Sequence, residues 1–251
     1  MSSVRNAARL LKQFSRTDRE LGVTQLAGRL GLAPSTVHRL VSTLTDEHLL
    51  ERGQGGRYRL GLQIYELGVA VLPNLDLHEA ARPVLADLRH STAETVHMGV
   101  LDHLDVVYVE RLESPRTLHV FDHVGHRLPA HSSASGKVLL AHLPRDVLEA
   151  RLRDWRPLRV TPRTITDRRA LLAELARIAE QGWAQNLEES ALGVASVAAP
   201  VRDESGDVIA AISVVGSIVR APRVLQRYRA AVIQAADLIS TRIGYRSGMR
   251  R

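Results

Sequence analysis

The chain has 251 residues, of which 45% are hydrophobic and 24% are charged, so it can form one or two ordinary hydrophobic cores. It contains no cysteine, which excludes disulfides, thiolate catalysis and cysteine-based metal sites such as zinc fingers. The formal net charge is +7, and residues 1–75 carry 10 Lys and Arg against 6 Asp and Glu. This excess favours a polyanionic partner, although a high arginine content also fits an ordinary solvated surface.

No apolar run is long enough to suggest a membrane span. The longest candidate, Val208–Val219, is interrupted by two serines and a glycine, whereas a span needs about 18 to 20 apolar residues. The first residues have the periodicity of an amphipathic helix rather than the apolar centre of a secretory signal. We therefore expect a cytoplasmic protein without a membrane partner.

The N-terminal segment has the pattern of a helix-turn-helix. Apolar residues at helical spacing over Val4–Phe14 predict a first helix. Thr24 is expected to cap a second helix, Gln25–Leu30, which stops at Gly31. After a three-residue turn a third helix begins at Pro34, because proline is favoured in the first helical turn.

The third predicted helix, Pro34–Thr45, has two different faces. Apolar residues recur at i, i+3, i+4 and i+7 from Val37 to Leu44 and predict one buried stripe. The opposite face is polar and is expected to be exposed. It consists of Ser35, Thr36, His38, Arg39 and Ser42.

A hairpin and a further helix follow. The sequence LLERGQGGRYRLG predicts two short strands around the glycine-rich Gly53–Gly56. Two helices joined by a tight turn and followed by a basic hairpin are typical of a winged helix-turn-helix. Leu60–Leu72 returns to helical spacing and predicts a linker helix that Pro73 would end.

We expect three parts: a winged helix-turn-helix over residues 1–60, a linker helix over 61–75, and a second domain over 76–251. In the second domain Thr166 is expected to cap a helix and Gly182 to end it. The pattern predicts an α+β domain with an antiparallel sheet and flanking helices. Its predicted helices are 77–91, 135–143, 145–153, 167–181 and 224–243, and its predicted strands are 96–101, 106–112, 117–124, 183–186, 195–201 and 208–218.

The polar first turns of the third helix fit the major groove of DNA. A helix about 16 Å long can insert its first turns into a groove about 12 Å wide. The hydroxyls and free N–H groups at its start can meet a phosphate, and Arg39 can reach a guanine edge or a phosphate. Arginines of the hairpin would hold the backbone or enter the minor groove. The predicted contacts to double-stranded operator DNA are Thr24, Ser35, Thr36, His38, Arg39, Ser42, Arg52, Arg57 and Arg59.

Taken singly, each of these residues also fits a plain helix start or a solvated charge, and only the ordered set favours DNA. Over essentially its full length, the chain resembles transcriptional regulators of the IclR family. The stretches that carry the resemblance are LAPSTVHRLVSTL, GGRYRLG, ASGKVLLAHL, RTITDRRALLAELARIAEQGWA and SVAAPVRDESGDVIAAISVVGS.

The resemblance implies a winged helix joined by a linker helix to a GAF-like domain that binds a small organic effector. It also implies a homodimer, which is often paired into a dimer of dimers, on palindromic or repeated operators. The effector positions it implies are Ala134, Ser135, Asn186, Val197 and Ser213. Asn186 stands where the family often has Asp, and Val197 where it often has Cys. Because the pocket loses a potential negative charge, we expect a neutral or anionic effector, such as a carboxylate or aromatic acid.

Three further residues are expected at this pocket. Ser133 precedes the SGK helix, where its hydroxyl and the free N–H groups of the helix would be available to a carboxylate. Glu188 and Glu189 would point to opposite faces of an extended segment, and we assign Glu188 to the pocket side. His131 is a candidate for the lining.

A group of histidines raises the alternative of a metal site. His119, His123, His126 and His131 fall within 13 residues, beside Asp122. Imidazoles with a carboxylate can hold zinc. They are placed at a strand end and in a loop, however, where exposed histidines are ordinary. We predict no metal or other cofactor.

The function expected from the sequence is a DNA-binding transcriptional regulator, either a repressor or an activator, that is not an enzyme. A metabolic enzyme on the second domain, with an accessory DNA-binding domain, is the alternative. The sequence shows no set of nucleophile, base and orienting residue that such an enzyme would need. An architectural DNA-binding protein whose second domain only oligomerises is a third hypothesis.

Overall fold

The structure is a computed structural model that describes residues 2–15, 17–71, 75–115 and 123–246. The chain divides into two compact units, residues 1–75 and 76–251. The finer division of the first unit at residue 60 stays a prediction.

The first unit combines helices with a three-stranded antiparallel sheet in the order β1-β3-β2. The sheet is the hairpin predicted from the sequence plus a two-residue strand that was not predicted. Its elements are α1 (Ser2–Leu11), β1 (Leu21–Gly22), α2 (Val23–Leu30), α3 (Pro34–Asp46), β2 (Leu50–Arg52), β3 (Arg57–Leu60) and α4 (Leu62–Val71).

The helix-turn-helix is held by one apolar core. Val37 and Val41 of α3 are fully buried against Leu26 of α2 and Leu10 of α1. This is the stripe that helical spacing predicted. Gly31 adopts a left-handed conformation with φ of 67° and ends α2, as expected.

The cap predicted for α2 was wrong. The helix begins one residue before Thr24, and Gly22 is its N-cap. The side-chain oxygen of Gln25 accepts a hydrogen bond from the Gly22 N–H at 3.0 Å. Gln25 therefore satisfies the helix start from inside the first turn, and Thr24 lies exposed within that turn.

The second unit is an α+β domain with a six-stranded antiparallel sheet in the order β6-β5-β4-β9-β8-β7. Its strands are β4 (Thr95–Asp102), β5 (Asp105–Leu112), β6 (Arg127–Pro129), β7 (Ala184–Leu187), β8 (Val194–Arg202) and β9 (Val208–Ser217). Its helices are α5 (Leu75–Thr92), α6 (Ala134–Ala141), α7 (Arg145–Arg151), α8 (Arg168–Gln181) and α9 (Ala221–Arg242).

Each face of this sheet carries its own core. One core joins the sheet to α5 and α9 and includes Leu85, Val197 and Ile239. The other joins the opposite face to α6 and α8 and includes Val138 and Ala198. Successive residues of β8 thus alternate between the two cores, as strand geometry requires.

Most predicted elements of this unit are confirmed to within three residues, with two corrections. The predicted strand 117–124 lies largely outside the described residues, and its described part, His123 and Val124, is not in a strand. Strand β6, which was not predicted, pairs with β5. Asp167, not Thr166, caps α8 by accepting the Ala170 N–H at 2.7 Å. Gly182, at φ of 78°, ends that helix as predicted.

Within the described ranges, no helix is both long enough and apolar enough to cross a membrane.

Candidate DNA interface and effector pocket

The start of α3 is exposed and has no side-chain cap, and the Thr36 N–H of its first turn donates to the Ala33 backbone oxygen at 3.0 Å. Ala33 at the N-cap offers no side-chain acceptor to the first turn, and Pro34 at the first helical position has no N–H of its own. The positive end of the helix dipole is therefore open to an anion from outside.

The polar face predicted for α3 exists. Its five residues are all exposed, while Val37, Val41 and Leu44 on the other side are buried. Because the buried stripe fixes the rotation of the helix, the polar face keeps one orientation on the surface of the unit. The structure thus brings together Ser35, Thr36, His38, Arg39 and Ser42.

The three predicted hairpin arginines are exposed but differ in their partners. Arg59 donates from Nε and Nη2 to one oxygen of Glu51, at 3.0 and 2.8 Å. Arg57 donates to the backbone oxygen of Glu20 at 3.3 Å. Arg52 forms no ion pair with another described residue. Of the three, Arg52 is therefore the guanidinium most available to a phosphate.

The second unit contains a small cavity of about 50 Å³ at the N-terminus of α6. No charged side chain is among the described residues that line it. Its apolar walls include Tyr108, Leu128 and Val215. Its polar lining consists of Ser133, Asn186, Ser190 and Ser196.

Ser133 connects this cavity to α6. It is the N-cap of the helix, and its Oγ accepts the Gly136 N–H at 3.0 Å. Since the oxygen accepts that bond, the hydroxyl proton stays available to donate to a ligand. Gly136 is required here, because an added Cβ would lie 2.3 Å from the Ala130 backbone oxygen.

Asn186 shapes the turn between β7 and β8. Its Oδ1 accepts the Glu189 N–H, and its Nδ2 donates to the Ser190 hydroxyl, both at 2.7 Å. The amide uses a donor and an acceptor at once, which an ionised aspartate could not do. Asn186 therefore both lines the cavity and fixes the turn that closes it.

A buried ion pair that sequence reasoning missed holds the same turn. Lys137 of α6 is 1% exposed, and its Nζ lies 2.7 and 2.9 Å from the two carboxylate oxygens of Glu189. Burial raises the pKa of Glu189 above its ordinary value, and Lys137 opposes that rise. The available signal was a lone lysine within the apolar sequence of α6.

Three expected pocket residues are not brought to the cavity. Glu188 accepts the Gly193 N–H at 2.8 Å and pairs with Arg163 at 3.1 Å, so its carboxylate is engaged elsewhere. Val197 lies in the core on the opposite face of the sheet. Its neighbour Ser196 lines the cavity instead, because successive strand residues alternate in direction.

His131 is the third of them. Its ring packs edge-on against Trp155, with centroids 5.1 Å apart, and its Nε2 lies 3.1 Å from the Leu158 backbone oxygen. Burial lowers the pKa of His131. The ring therefore stabilises the loop between α7 and α8 rather than lining the cavity.

The remaining expected residues lie beside the cavity. Ala134 is fully buried in the core formed with α8. Ser135 and Ser213 are buried, and neither hydroxyl has a hydrogen-bond partner among the described residues. The same holds for both ring nitrogens of His97, a residue that the sequence had not indicated.

The histidine group does not assemble where it is described. The rings of His123 and His126 are in edge contact at 5.5 Å, while His131 is engaged by Trp155. His119 and Asp122 lie outside the described residues. Among the residues that the structure does describe, no three histidine or acidic side chains are arranged to hold a metal.

Two family descriptions match the chain: "IclR helix-turn-helix domain" over residues 3–53 and "Bacterial transcriptional regulator IclR C-terminal" over residues 69–241. The HTH-type transcriptional regulator XynR of Escherichia coli is 35% identical over 247 residues, which is 98% of each chain. The HTH-type transcriptional regulator KdgR of the same organism is 37% identical over 91% of this chain and 88% of its own.

A solved structure also indicates similarity to the IclR family. A crystal structure of an IclR homolog complexed with 4-hydroxybenzoate, from Microbacterium hydrocarbonoxydans, superposes with a TM-score of 0.85. The two sequences are 31% identical, and the match covers 96% of this chain and 98% of that one.

Proposed function

Because the chain belongs to the IclR family of bacterial transcriptional regulators, we propose that it binds operator DNA through α3 and the β2–β3 hairpin, and that a small carboxylic or aromatic acid changes this affinity. As a member of the family it is a DNA-binding regulator with a C-terminal effector-binding domain. In our proposal residues 1–60 bind DNA, 61–75 link, and 76–251 bind the effector and oligomerise.

The observation that carries the DNA half of the proposal is the exposed polar face of α3 above a fixed apolar core. Hydroxyls at an uncapped helix N-terminus suit phosphate, and Arg39 one turn later suits a base edge or a second phosphate. We retain Thr24, Arg52, Arg57 and Arg59 as contacts to the flanking backbone.

The uncharged cavity at the N-terminus of α6 supports an acid as the effector. A carboxylate there could accept hydrogen bonds from the Ser133 hydroxyl and from free N–H groups of the first turn. We propose that Asn186 and Ser196 complete the lining. Its volume of about 50 Å³ is below the roughly 300 Å³ of ordinary ligand pockets, so binding would include outward movement of the β7–β8 turn.

We also propose that the protein is a homodimer, alone or paired into a dimer of dimers. In support, α4 exposes three large apolar side chains among its described residues, Leu62 at 68%, Tyr65 at 69% and Leu67 at 51%. Side chains of this kind on an outer helix are typical of a protein interface. A regulator of bacterial promoters would act in the cytoplasm.

We propose no catalytic activity. The relatives described above are transcriptional regulators, and the described lining of the cavity offers three serines without a histidine or carboxylate to activate them.

Operator selection tests this function. The intact protein would be used to select duplexes from a random pool, and the selected duplex would then be titrated by fluorescence anisotropy with and without members of an acid panel. We expect at least one acid to shift the midpoint by about 5- to 150-fold, the usual range of allosteric coupling. If no acid alters the titration of the selected duplex, the protein binds DNA, but the proposed regulation by an acid effector is wrong.

A further inference from the structure

We propose that His97, Ser213 and Ser135 form a hydrogen-bonding floor of the effector site, which recognises a hydroxyl group, so that the effector is a hydroxy acid. This inference rests on the proposed function of the cavity at α6, and it names the class of acid.

The first observation is burial without partners. His97 is 0% exposed, and Ser135 and Ser213 are each 1% exposed. Within the described part of the chain, neither imidazole nitrogen and neither hydroxyl has a hydrogen-bond partner. Most buried polar groups in proteins are paired, because an unpaired one loses the hydrogen bonds it would make to water. Six buried side-chain atoms lack a partner among the described residues, and four of them belong to these three residues, which indicates a place built for a polar partner.

The second observation is that the sheet places these groups together. His97 of β4 and Ser213 of β9 are directly opposite in the antiparallel register, so their side chains share one face of the sheet. Val215, two residues after Ser213, lines the cavity and shows which face this is. Ser135 lies in the first turn of α6, the helix that packs on β4 and β9.

The floor adjoins the cavity already described. The His97 ring packs against the Tyr108 ring with centroids 4.4 Å apart, and Tyr108 lines the cavity with Ser133. A ligand whose carboxylate meets Ser133 at the helix terminus could therefore direct its other end toward His97.

The third observation is the chemistry of the floor. Burial lowers the pKa of His97 to about 3, so the ring is neutral near pH 7 and offers one donor and one acceptor. The acceptor nitrogen needs a donor, which a carboxylate or a hydrocarbon lacks and a hydroxyl has. Arg111, directly opposite His97 in the register with β5, pairs with Glu113 through Nη1, while its buried Nε has no hydrogen-bond partner among the described residues. A hydroxyl, which donates one hydrogen bond and accepts others, therefore suits this floor.

Matched acids test the inference on the intact protein by isothermal titration calorimetry. The pairs are 4-hydroxybenzoate with benzoate and 3-hydroxybutyrate with butyrate. We expect the wild type to bind the hydroxylated member of at least one pair about tenfold more tightly or better, as for a site built around a hydroxyl. Ser213→Ala and His97→Phe should reduce that ratio to about one, with little change for the acid that lacks the hydroxyl.

Ser240→Ala is the matched control. Ser240 is as buried as Ser213, but its hydroxyl accepts the Arg202 N–H at 2.9 Å and donates to the Ala236 backbone oxygen at 2.7 Å. This variant should keep the wild-type preference for the hydroxylated acid.

Thermal melting without acid provides a second readout that needs no ligand. Ser213→Ala removes a hydroxyl that has no protein partner, so we expect Tm to rise by about 2 °C. Ser240→Ala deprives a backbone N–H of its acceptor, so its Tm should fall. A fall in Tm for Ser213→Ala comparable to that for Ser240→Ala would overturn the inference.

The calorimetric outcomes separate the two proposals. Equal affinity for both members of every pair that binds would overturn the hydroxyl floor and leave the acid effector in place. A preference that Ser213→Ala and His97→Phe retain would also overturn it. Binding of no acid of either kind would contradict the acid effector proposed above, and the hydroxy acid with it.

Discussion

Lys137 is a buried cation that pairs α6 with the β7–β8 turn beside the cavity. Its ammonium meets both carboxylate oxygens of Glu189 and lies 3.3 Å from Glu174. A buried pair of this kind contributes little net stability compared with an apolar pair, but removing one partner leaves the other charge buried and unpaired.

We expect Lys137→Met to lower the free energy of unfolding by about 3 to 5 kcal/mol, because Glu189 loses its partner. The double variant Lys137→Met/Glu189→Gln should recover much of that loss. Arg59→Met is the control, since its ion pair with Glu51 is exposed and should be worth less than about 1 kcal/mol. Urea unfolding at pH 7 measures all three variants. Equal losses for the single and double Lys137 variants would show that the pair does not act as described.

His97 makes stability depend on pH. Burial, with smaller contributions from Arg111 and His126, lowers the pKa of His97 from 6.5 to about 3. The unfolded chain binds a proton there below about pH 6.5, whereas the folded chain does so only near pH 3. The stability that His97 contributes is therefore full above pH 6.5 and is lost as pH falls toward 3, at no more than about 1.4 kcal/mol per pH unit.

We expect His97→Gln to flatten this part of the profile. Urea unfolding of wild type and variant between about pH 7 and pH 5 measures the two slopes. Other buried histidines, such as His131 and His142, remain in both proteins, so only the difference between the slopes reports His97. Parallel slopes would contradict the buried neutral ring.

Single residues show where sequence reasoning reached its limit. Ser135 and Ser213 were expected at the pocket and lie close in sequence to its lining residues, whereas Val197, which the family resemblance implied, lies in the core on the other face of β8. Successive strand residues point to opposite faces, so its neighbour Ser196 lines the cavity instead. His97 was not identified, because burial without a partner is a property of the packed sheet and leaves no mark in the sequence.

At the scale of elements, α3 contributes both to the hydrophobic core of the first unit and to the proposed DNA interface. Its buried stripe and its exposed polar face follow from the same helical period, so both could be predicted from the sequence. β1 could not, because a two-residue strand has no alternation to detect. The N-caps of α2 and α8 were misplaced by two residues and one residue, because Gln25 and Asp167 form the hydrogen bonds that were expected of Thr24 and Thr166.

If Arg39 reads a base edge, we expect Arg39→Ala to weaken binding to a selected operator by about 1 to 3 kcal/mol, with a smaller loss on an unrelated duplex. Arg169→Ala removes the same charge from an exposed position in the second unit and serves as the control. Anisotropy titrations at one fixed salt concentration compare both. Equal losses on operator and unrelated duplex would reassign Arg39 to phosphate, and no loss would remove it from the interface.

We expect Asn186→Asp to weaken binding of an anionic acid by about tenfold, roughly the effect of 1.4 kcal/mol. The variant places a negative charge at the cavity and removes the donor to Ser190. DNA binding in the absence of acid should not change, which makes the anisotropy titration its internal control. A calorimetric curve that superimposes on that of the wild type would reject the role of Asn186.

At the scale of the whole molecule, the sequence predicted a winged helix-turn-helix, a linker helix and an α+β domain with an antiparallel sheet, but not the order of the strands in that sheet. β4 lies between β5, its neighbour along the chain, and β9, which is about a hundred residues away. Hydrophobic alternation shows that a strand has two faces and does not identify its partners. The floor formed by His97 and Ser213 depends on that distant pairing, so only the structure could reveal it.

We expect the first turn of α3, with the hydroxyls of Ser35 and Thr36 and no side-chain cap, to bind DNA phosphates. The most direct measurement is the affinity of the intact protein for a fluorescent duplex as a function of salt concentration. We predict that log K falls linearly with log salt, with a slope close to −0.9 for each phosphate contacted, and that Arg52→Ala makes the slope less steep by about one contact. An affinity that does not change with salt, or no measurable binding to any duplex, would contradict the account.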